Sequence, residues 1–119
     1  FFVKIAITST GDNLDSAMDE RFGRCKYFII ADTKTHEYEA VENESTTSAH
    51  GTGIQVAQFV VDQNIKALIT GNVGPNAMKV LQGANLDVYL SDSTTVKGAI
   101  EDFVKGKLEK AQGPTRGGH

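Results

Sequence analysis

The 119-residue chain predicts a single α/β domain, and two features carry that prediction. Short apolar runs rich in β-branched residues alternate with segments whose apolar positions recur at the helical period, the pattern of parallel strands with helices packed on the sheet. Ahead of that alternating part stand two strand-like runs separated by a short polar turn, which predict an antiparallel hairpin at the sheet edge. The expected order is β-β-β-α-β-α-β-α, a five-stranded mixed sheet with flanking helices. It spans residues 1–108 as one domain, with 109–119 as a flexible C-terminal tail.

Each element has a local reason. Val3 to Thr8 (VKIAIT) is rich in β-branched residues and reads as a strand buried on both faces. Residues 9–25 (STGDNLDSAMDERFGRC) hold turn formers and charges with scattered apolar positions, so a long loop is expected, with one helical turn near 15–20. Loops of that length in small domains are functional or disordered. Tyr27 to Ala31 and His36 to Glu42 form the hairpin around the turn Asp32-Thr33-Lys34-Thr35, and the polar run 43–49 leads into a helix starting near His50-Gly51-Thr52-Gly53.

That helix is expected to reach about Asn64, with Ile54, Ala57 and Val61 on one face and Val56 and Val60 beside them. Lys66 to Thr70 is the next strand. Pro75 suits the first position of the second helix and Gly83 its stop. Asp87 to Leu90 is a short strand, and Ser93 or Thr94 caps a third helix carrying Val96, Ala99, Ile100, Phe103 and Val104.

Charge and cysteine usage narrow the function. A net charge of -3 excludes the broad basic face that nucleic-acid binding requires. No apolar run nears the roughly 18 residues that cross a bilayer. The opening FFVKIAITS is strand-like and has no cleavage-site pattern, so it is not expected to be a signal peptide. One cysteine forms no internal disulfide, which makes a reducing cytoplasm the expected compartment, and it excludes a cysteine-built structural zinc site.

Against that acidic background, DERFGRCKYF places Arg21, Arg24 and Lys26 around Gly23 and the lone Cys25. Neighbouring cations favour a thiolate, a soft metal ligand, whereas a cysteine opening a strand packs equally well as a small hydrophobe. Arg21 and Arg24 can fork onto an anion, Gly23 lets the backbone come close, and Phe22 reads as an anchor to the core. His50, flanked by Gly51 and Gly53 at a helix start, offers an imidazole beside unpaired N–H groups, or simply caps the helix. His36 and His119 read as surface. The turn GNVGPNA, with Gly71, Asn72 and Gly74, lacks the residues of a phosphate-binding P-loop but can present N–H groups to an anion. In open α/β sheets ligands sit beyond the carboxyl ends of the parallel strands, where the loop 9–25, the turn 50–53 and the turn 71–75 are expected to converge. No catalytic set is visible, so the residues point to a binder rather than an enzyme.

The stretches VKIAITS, DERFGRCKYFII, the run from AHGTGIQVAQFV to ANLDVYL, and TTVKGAIEDFVKGKL resemble the dinitrogenase iron-molybdenum cofactor biosynthesis family over roughly residues 3–108. This family includes the NifX and NafY proteins, the C-terminal domain of NifB and small stand-alone homologues in anaerobes. The resemblance implies a ribonuclease H-like fold with a five-stranded mixed sheet. It also implies binding or carriage, as carrier or chaperone, of an anionic iron-sulfur or iron-molybdenum-type cluster or precursor exchanged with donor and acceptor proteins. Cys25 and His50 are then the candidate metal ligands. Arg21, Arg24 and the glycine turns would balance charge and donate N–H groups. Many members have histidine where this chain has Arg21, which exchanges a ligand for a charge partner. Two further readings stand beside this one: a regulatory or protein-interaction module of the same fold that binds no cluster, and an enzyme of phosphorylated small molecules resting on the GNVGPN turn alone.

Overall fold

The β-branched segment KIAITS becomes β1 (Lys4–Ser9), paired on both sides and buried from Ile5 onward. The computed structural model describes residues 4–43, 52–92 and 94–111. β2 (Tyr27–Asp32) runs antiparallel to β1, and β3 (Tyr38–Glu42) antiparallel to β2 at the sheet edge. After α1 (Thr52–Val61), β4 (Ala67–Thr70) returns parallel to β1; after α2 (Pro75–Gly83), β5 (Asp87–Leu90) lies parallel to β4. α3 (Val96–Val104) and β6 (Glu109–Lys110) complete the chain, giving the order β3-β2-β1-β4-β5-β6.

Alternation along the strands divides the interior in two. Ala6, Phe28, Ile30, Leu68 and Val88 face α1 and α2, meeting Val56, Val60, Met78 and Leu81. Ile5, Ile7, Ile29 and Ile69 face the other way and pack on Val96, Ala99 and Ile100 of α3. Each fully buried Val, Leu, Ile, Phe or Met among these contributes roughly 1.5–3 kcal/mol.

The sheet departs from the expected five strands. Glu109 and Lys110 were assigned to the tail, yet they pair antiparallel with Leu90 and Tyr89, and the Ala111 N–H reaches the Val88 carbonyl at 2.8 Å. Two polar residues carry no alternation to read; the strand exists because β5 offers a free edge and Lys110 meets Asp87 at 2.9 Å. The helical turn expected near 15–20 is absent: Ala17 and Met18 instead bridge to Thr95 and Ser9.

Helix ends also differ. α1 stops at Val61, and Ile54 is 42% exposed, so its buried stripe is Val56, Ala57 and Val60. Gly83 lies inside α2. The left-handed stop falls on Asn85 (φ 60°), whose N–H bonds to the Gln82 carbonyl at 3.0 Å, while the Leu86 N–H bonds to Leu81 at 3.0 Å. Asparagine tolerates that conformation well enough to close a helix as glycine does. Thr95, rather than Ser93 or Thr94, caps α3, its hydroxyl accepting from the Gly98 N–H at 3.0 Å.

The hairpin turn rests on Asp32, whose carboxylate accepts from the N–H groups of Lys34 (2.8 Å) and Thr35 (3.1 Å). Desolvation pushes this carboxyl up, but those N–H bonds and the charges of Lys4 and Lys34 outweigh it and hold the group below its ordinary value. A depressed carboxylate stabilises the fold above its unfolded pKa and loses that effect as pH falls through the folded one. Unfolding free energies of wild type and Asp32→Asn should therefore differ at neutral pH and converge below about pH 4. A constant difference across that range would contradict the assignment.

Candidate functional site

The carboxyl ends of the three parallel strands β1, β4 and β5 all point to one end of the sheet, and the loop after β1 ties their continuations together. Its Met18 N–H donates to the Thr94 carbonyl (3.1 Å), while Val96 and Lys97 donate to Ser16 (3.0 Å) and Leu14 (2.9 Å). Arg21 bridges in parallel to Asn72, just past β4. The loop is thus built into the sheet end. The segment after β5, which sequence reading left out of the site, belongs to it.

Residues 19–21 are the most closely fitted part. The Asp19 N–H donates to the Thr8 carbonyl at 3.0 Å; the Thr8 hydroxyl donates to the Asp19 carbonyl and lies 3.1 Å from the Thr70 hydroxyl. Asn72 gives both its main-chain and side-chain N–H to the Glu20 carbonyl, at 2.8 and 2.9 Å. A Cβ on Gly71 would stand 2.7 Å from the Glu20 Cα, so this glycine exists to let the loop lie on the strand end. Arg21 forks onto Asp19 with Nε and Nη2, both at 3.2 Å, and its main-chain N–H reaches the same carboxylate at 2.9 Å. The hydrogen bond to Asp19, followed by that carboxylate's charge, pushes the Arg21 pKa further up.

Cys25 behaves differently from the expected thiolate. It is fully buried in the α1/α2-side core, 3.4 Å from the Phe22 carbonyl, to which its thiol donates. Burial first, then the charge of Asp19, pushes its pKa from 9.0 to about 12, while the Asn43 amide pulls the other way. The cations next to it in sequence do not offset this, because Arg21 is turned to Asp19 and Arg24 and Lys26 lie in solvent. Asn43, not recognised from sequence, donates its amide to the Cys25 carbonyl at 2.8 Å and lies 3.5 Å from that of Gly23. Phe22 is the expected anchor, 3% exposed and edge-on to Phe28 with ring centres 5.9 Å apart.

The candidate residues divide accordingly. Arg21, Gly23, Arg24, Gly71, Asn72 and Gly74 are brought to one end of the sheet. Gly23 takes no left-handed conformation. Asn72 directs its amide inward, to Glu20. Arg24 is exposed and has no ion-pair partner among the described residues. Gly74 starts α2 without a side-chain cap and faces open space. Gly53, in the first turn of α1, lets that helix approach α2, its Cβ position 3.8 Å from that of Ala77. His50 and Gly51 lie outside the described residues, and with them the expected pairing of Cys25 and His50. Among the described residues no three His, Cys, Asp or Glu side chains gather to hold a metal ion, and no helix is long and apolar enough to cross a membrane.

Comparison with known proteins places this arrangement. The family model described as dinitrogenase iron-molybdenum cofactor matches residues 3–106. The chain belongs to that family. Solved structures share the fold: the alignment with the apo form of the orange protein from Desulfovibrio gigas covers 98% of both chains, at 37% identity and a TM-score of 0.91. A Thermotoga protein with a provisional NifB designation is 42% identical over 98% of this chain and 99% of its own, with a TM-score of 0.83. An uncharacterized Methanocaldococcus jannaschii protein is 32% identical over 99 residues, 81% of this chain and 84% of that one. Family membership relates the chain to the iron-molybdenum cofactor of dinitrogenase.

Proposed function

We infer that this chain is a binding and carrier protein for an anionic iron-sulfur or iron-molybdenum-type cluster, or a precursor of one, and not an enzyme. The observation that carries the reading is a pair of arginines in the loop fixed at the carboxyl end of the sheet: Arg21, which bridges to Asn72 just ahead of a helix start, at Gly74, that no side chain caps, and the exposed Arg24 of the same loop. Metal–sulfur clusters are anionic and rich in acceptor atoms, and guanidinium and unpaired main-chain N–H groups suit them. A solved relative described as an apo form is by that word a protein with a bound state, which favours a bound state for this chain too. The ribonuclease H-like reading of the fold rests on the order 3-2-1-4-5 of the first five strands.

In this reading the cargo is held by charge and N–H donors. His50 is the candidate imidazole ligand, and Cys25 serves as core. One observation favours the alternative, a regulatory or interaction module of the same fold that binds no cluster: the only thiol is fully buried.

Anaerobic reconstitution with iron and sulfide, with and without molybdate, separates the two by absorption spectra and metal counts. Wild type is expected to take up stoichiometric metal, Cys25→Ala to take up as much, and Arg24→Glu to lose about 90% of it, since a reversed charge repels the cargo. Absence of uptake by wild type, or uptake unchanged by Arg24→Glu, would leave the interaction module as the better reading.

A further inference from the structure

Of the loop's carboxylates, none of which the carrier reading uses, one is buried. Asp19 is a carboxylate only 6% exposed, between Met18, which bridges to Ser9 at the end of β1, and Arg21, which bridges to Asn72 just past β4. An exposed Asp–Arg pair would mean little. Here the carboxylate is buried, its partner's side chain is 63% exposed, and the contact is a two-point fork reinforced by the Arg21 main-chain N–H.

Guanidinium carries five N–H donors in a rigid plane. Asp19 takes one from Nε and one from Nη2. Three remain, and two of them are parallel along the Nη1–Nη2 edge, the geometry that grips two acceptor atoms at once. We propose that Asp19 is the positioning residue of the anion site: by holding one edge of Arg21 it fixes the other edge outward as a two-point grip for a tetrahedral oxo- or thioanion. This rests on the carrier reading above and sharpens it, because the group recognised is one with several equivalent acceptor atoms rather than a lone ion such as chloride.

The proposal makes a prediction opposite in sign to simple electrostatics. Removing a negative charge beside an anion site strengthens anion binding by Coulomb's law. Removing a positioning residue weakens it, because Arg21 then samples many rotamers and loses an ordered fork.

The test is equilibrium dialysis of the full-length protein at low salt against molybdate and, separately, tetrathiomolybdate, with excess chloride as competitor. Wild type is expected to bind at least one of the two with chloride competing weakly; which one it binds tells oxygen from sulfur acceptors. Asp19→Asn should bind about tenfold or more weakly despite its added positive charge, and Arg21→Lys, which keeps the charge and loses the fork, by a similar factor. Because the two residues act as one unit, the double variant should be no weaker than the weaker single one. Affinity equal to or above wild type in Asp19→Asn overturns the proposal, as does fully additive loss. Should circular dichroism show Asp19→Asn unfolded, Arg21→Lys decides alone, since its ammonium still balances Asp19: unchanged affinity there overturns the proposal. Wild type that loads clusters on reconstitution yet binds neither anion sinks this inference and leaves the carrier standing. Anion binding with the predicted losses but no cluster loading does the reverse.

Discussion

Gly71→Ala is expected to lower the unfolding free energy by about 2–4 kcal/mol, an unusually large effect for adding one methyl group. The new Cβ would press on Glu20, 2.7 Å from its Cα and 2.9 Å from its carbonyl oxygen. Both contacts are with backbone atoms, so no side-chain rotation relieves them. The loop must lift, and both Asn72 hydrogen bonds to the Glu20 carbonyl lengthen with it. Gly74→Ala is the matched control: its Cβ meets nothing within 4 Å and its φ of -74° suits any residue. Urea denaturation of the two variants beside wild type reads the difference. Equal stability of Gly71→Ala and Gly74→Ala would mean that the loop does not rest on the strand end as described. The same substitution should weaken cargo loading, since Arg21 follows Glu20.

The second large effect concerns Cys25. At pH 8 a thiol with a pKa of about 12 is ionised on the order of a thousandfold less than one at 9.0, so disulfide exchange with an aromatic disulfide reagent should be slower by about that factor in native protein than in urea. The raised pKa also shapes the alkaline limb of stability. An acid whose folded pKa lies above its unfolded one contributes stability in full below the unfolded value, and that contribution is lost as pH rises through the folded value. Between about pH 9 and 12 wild type should therefore lose stability faster than Cys25→Ala, by up to about 1.4 kcal/mol per pH unit, although the variant starts lower at neutral pH because of the space it leaves. Parallel curves, or a native thiol that reacts at the denatured rate, would show that Cys25 is accessible and return it to the list of candidate ligands.

What could be read from the residues was whatever depends on local pattern. The hairpin and the alternating units followed from runs such as YFIIA and KALIT, whose apolar continuity reflects cover on both faces. The placement of the loop 9–25 at the end of the sheet followed from topology. Contacts between distant residues were hidden. Nothing in EK at 109–110 announces a strand that forms because β5 has a free side, and nothing in NESTT marks Asn43 as the residue that holds the Cys25 and Gly23 carbonyls. Cys25 itself was balanced between ligand and core until its neighbours in space, Phe22 and Phe28 among them, were known. Asp19 was nearer to legible, since a carboxylate two residues before an arginine in a turn can fold back on it, but its burial was not.

The stitching of the loop between β1 and β2 has a thermodynamic consequence for any cargo. Ordering a residue's backbone costs about 1–2 kcal/mol, and a segment of this length left free would have to meet that cost at the moment of binding. Here the bridges to Ser9, Asn72 and Thr95 meet it during folding. In the carrier reading proposed above, affinity would be limited by contacts rather than by ordering, capture would need no rearrangement of the loop, and handing the cargo on would depend on a recipient with better ligands rather than on the carrier coming apart.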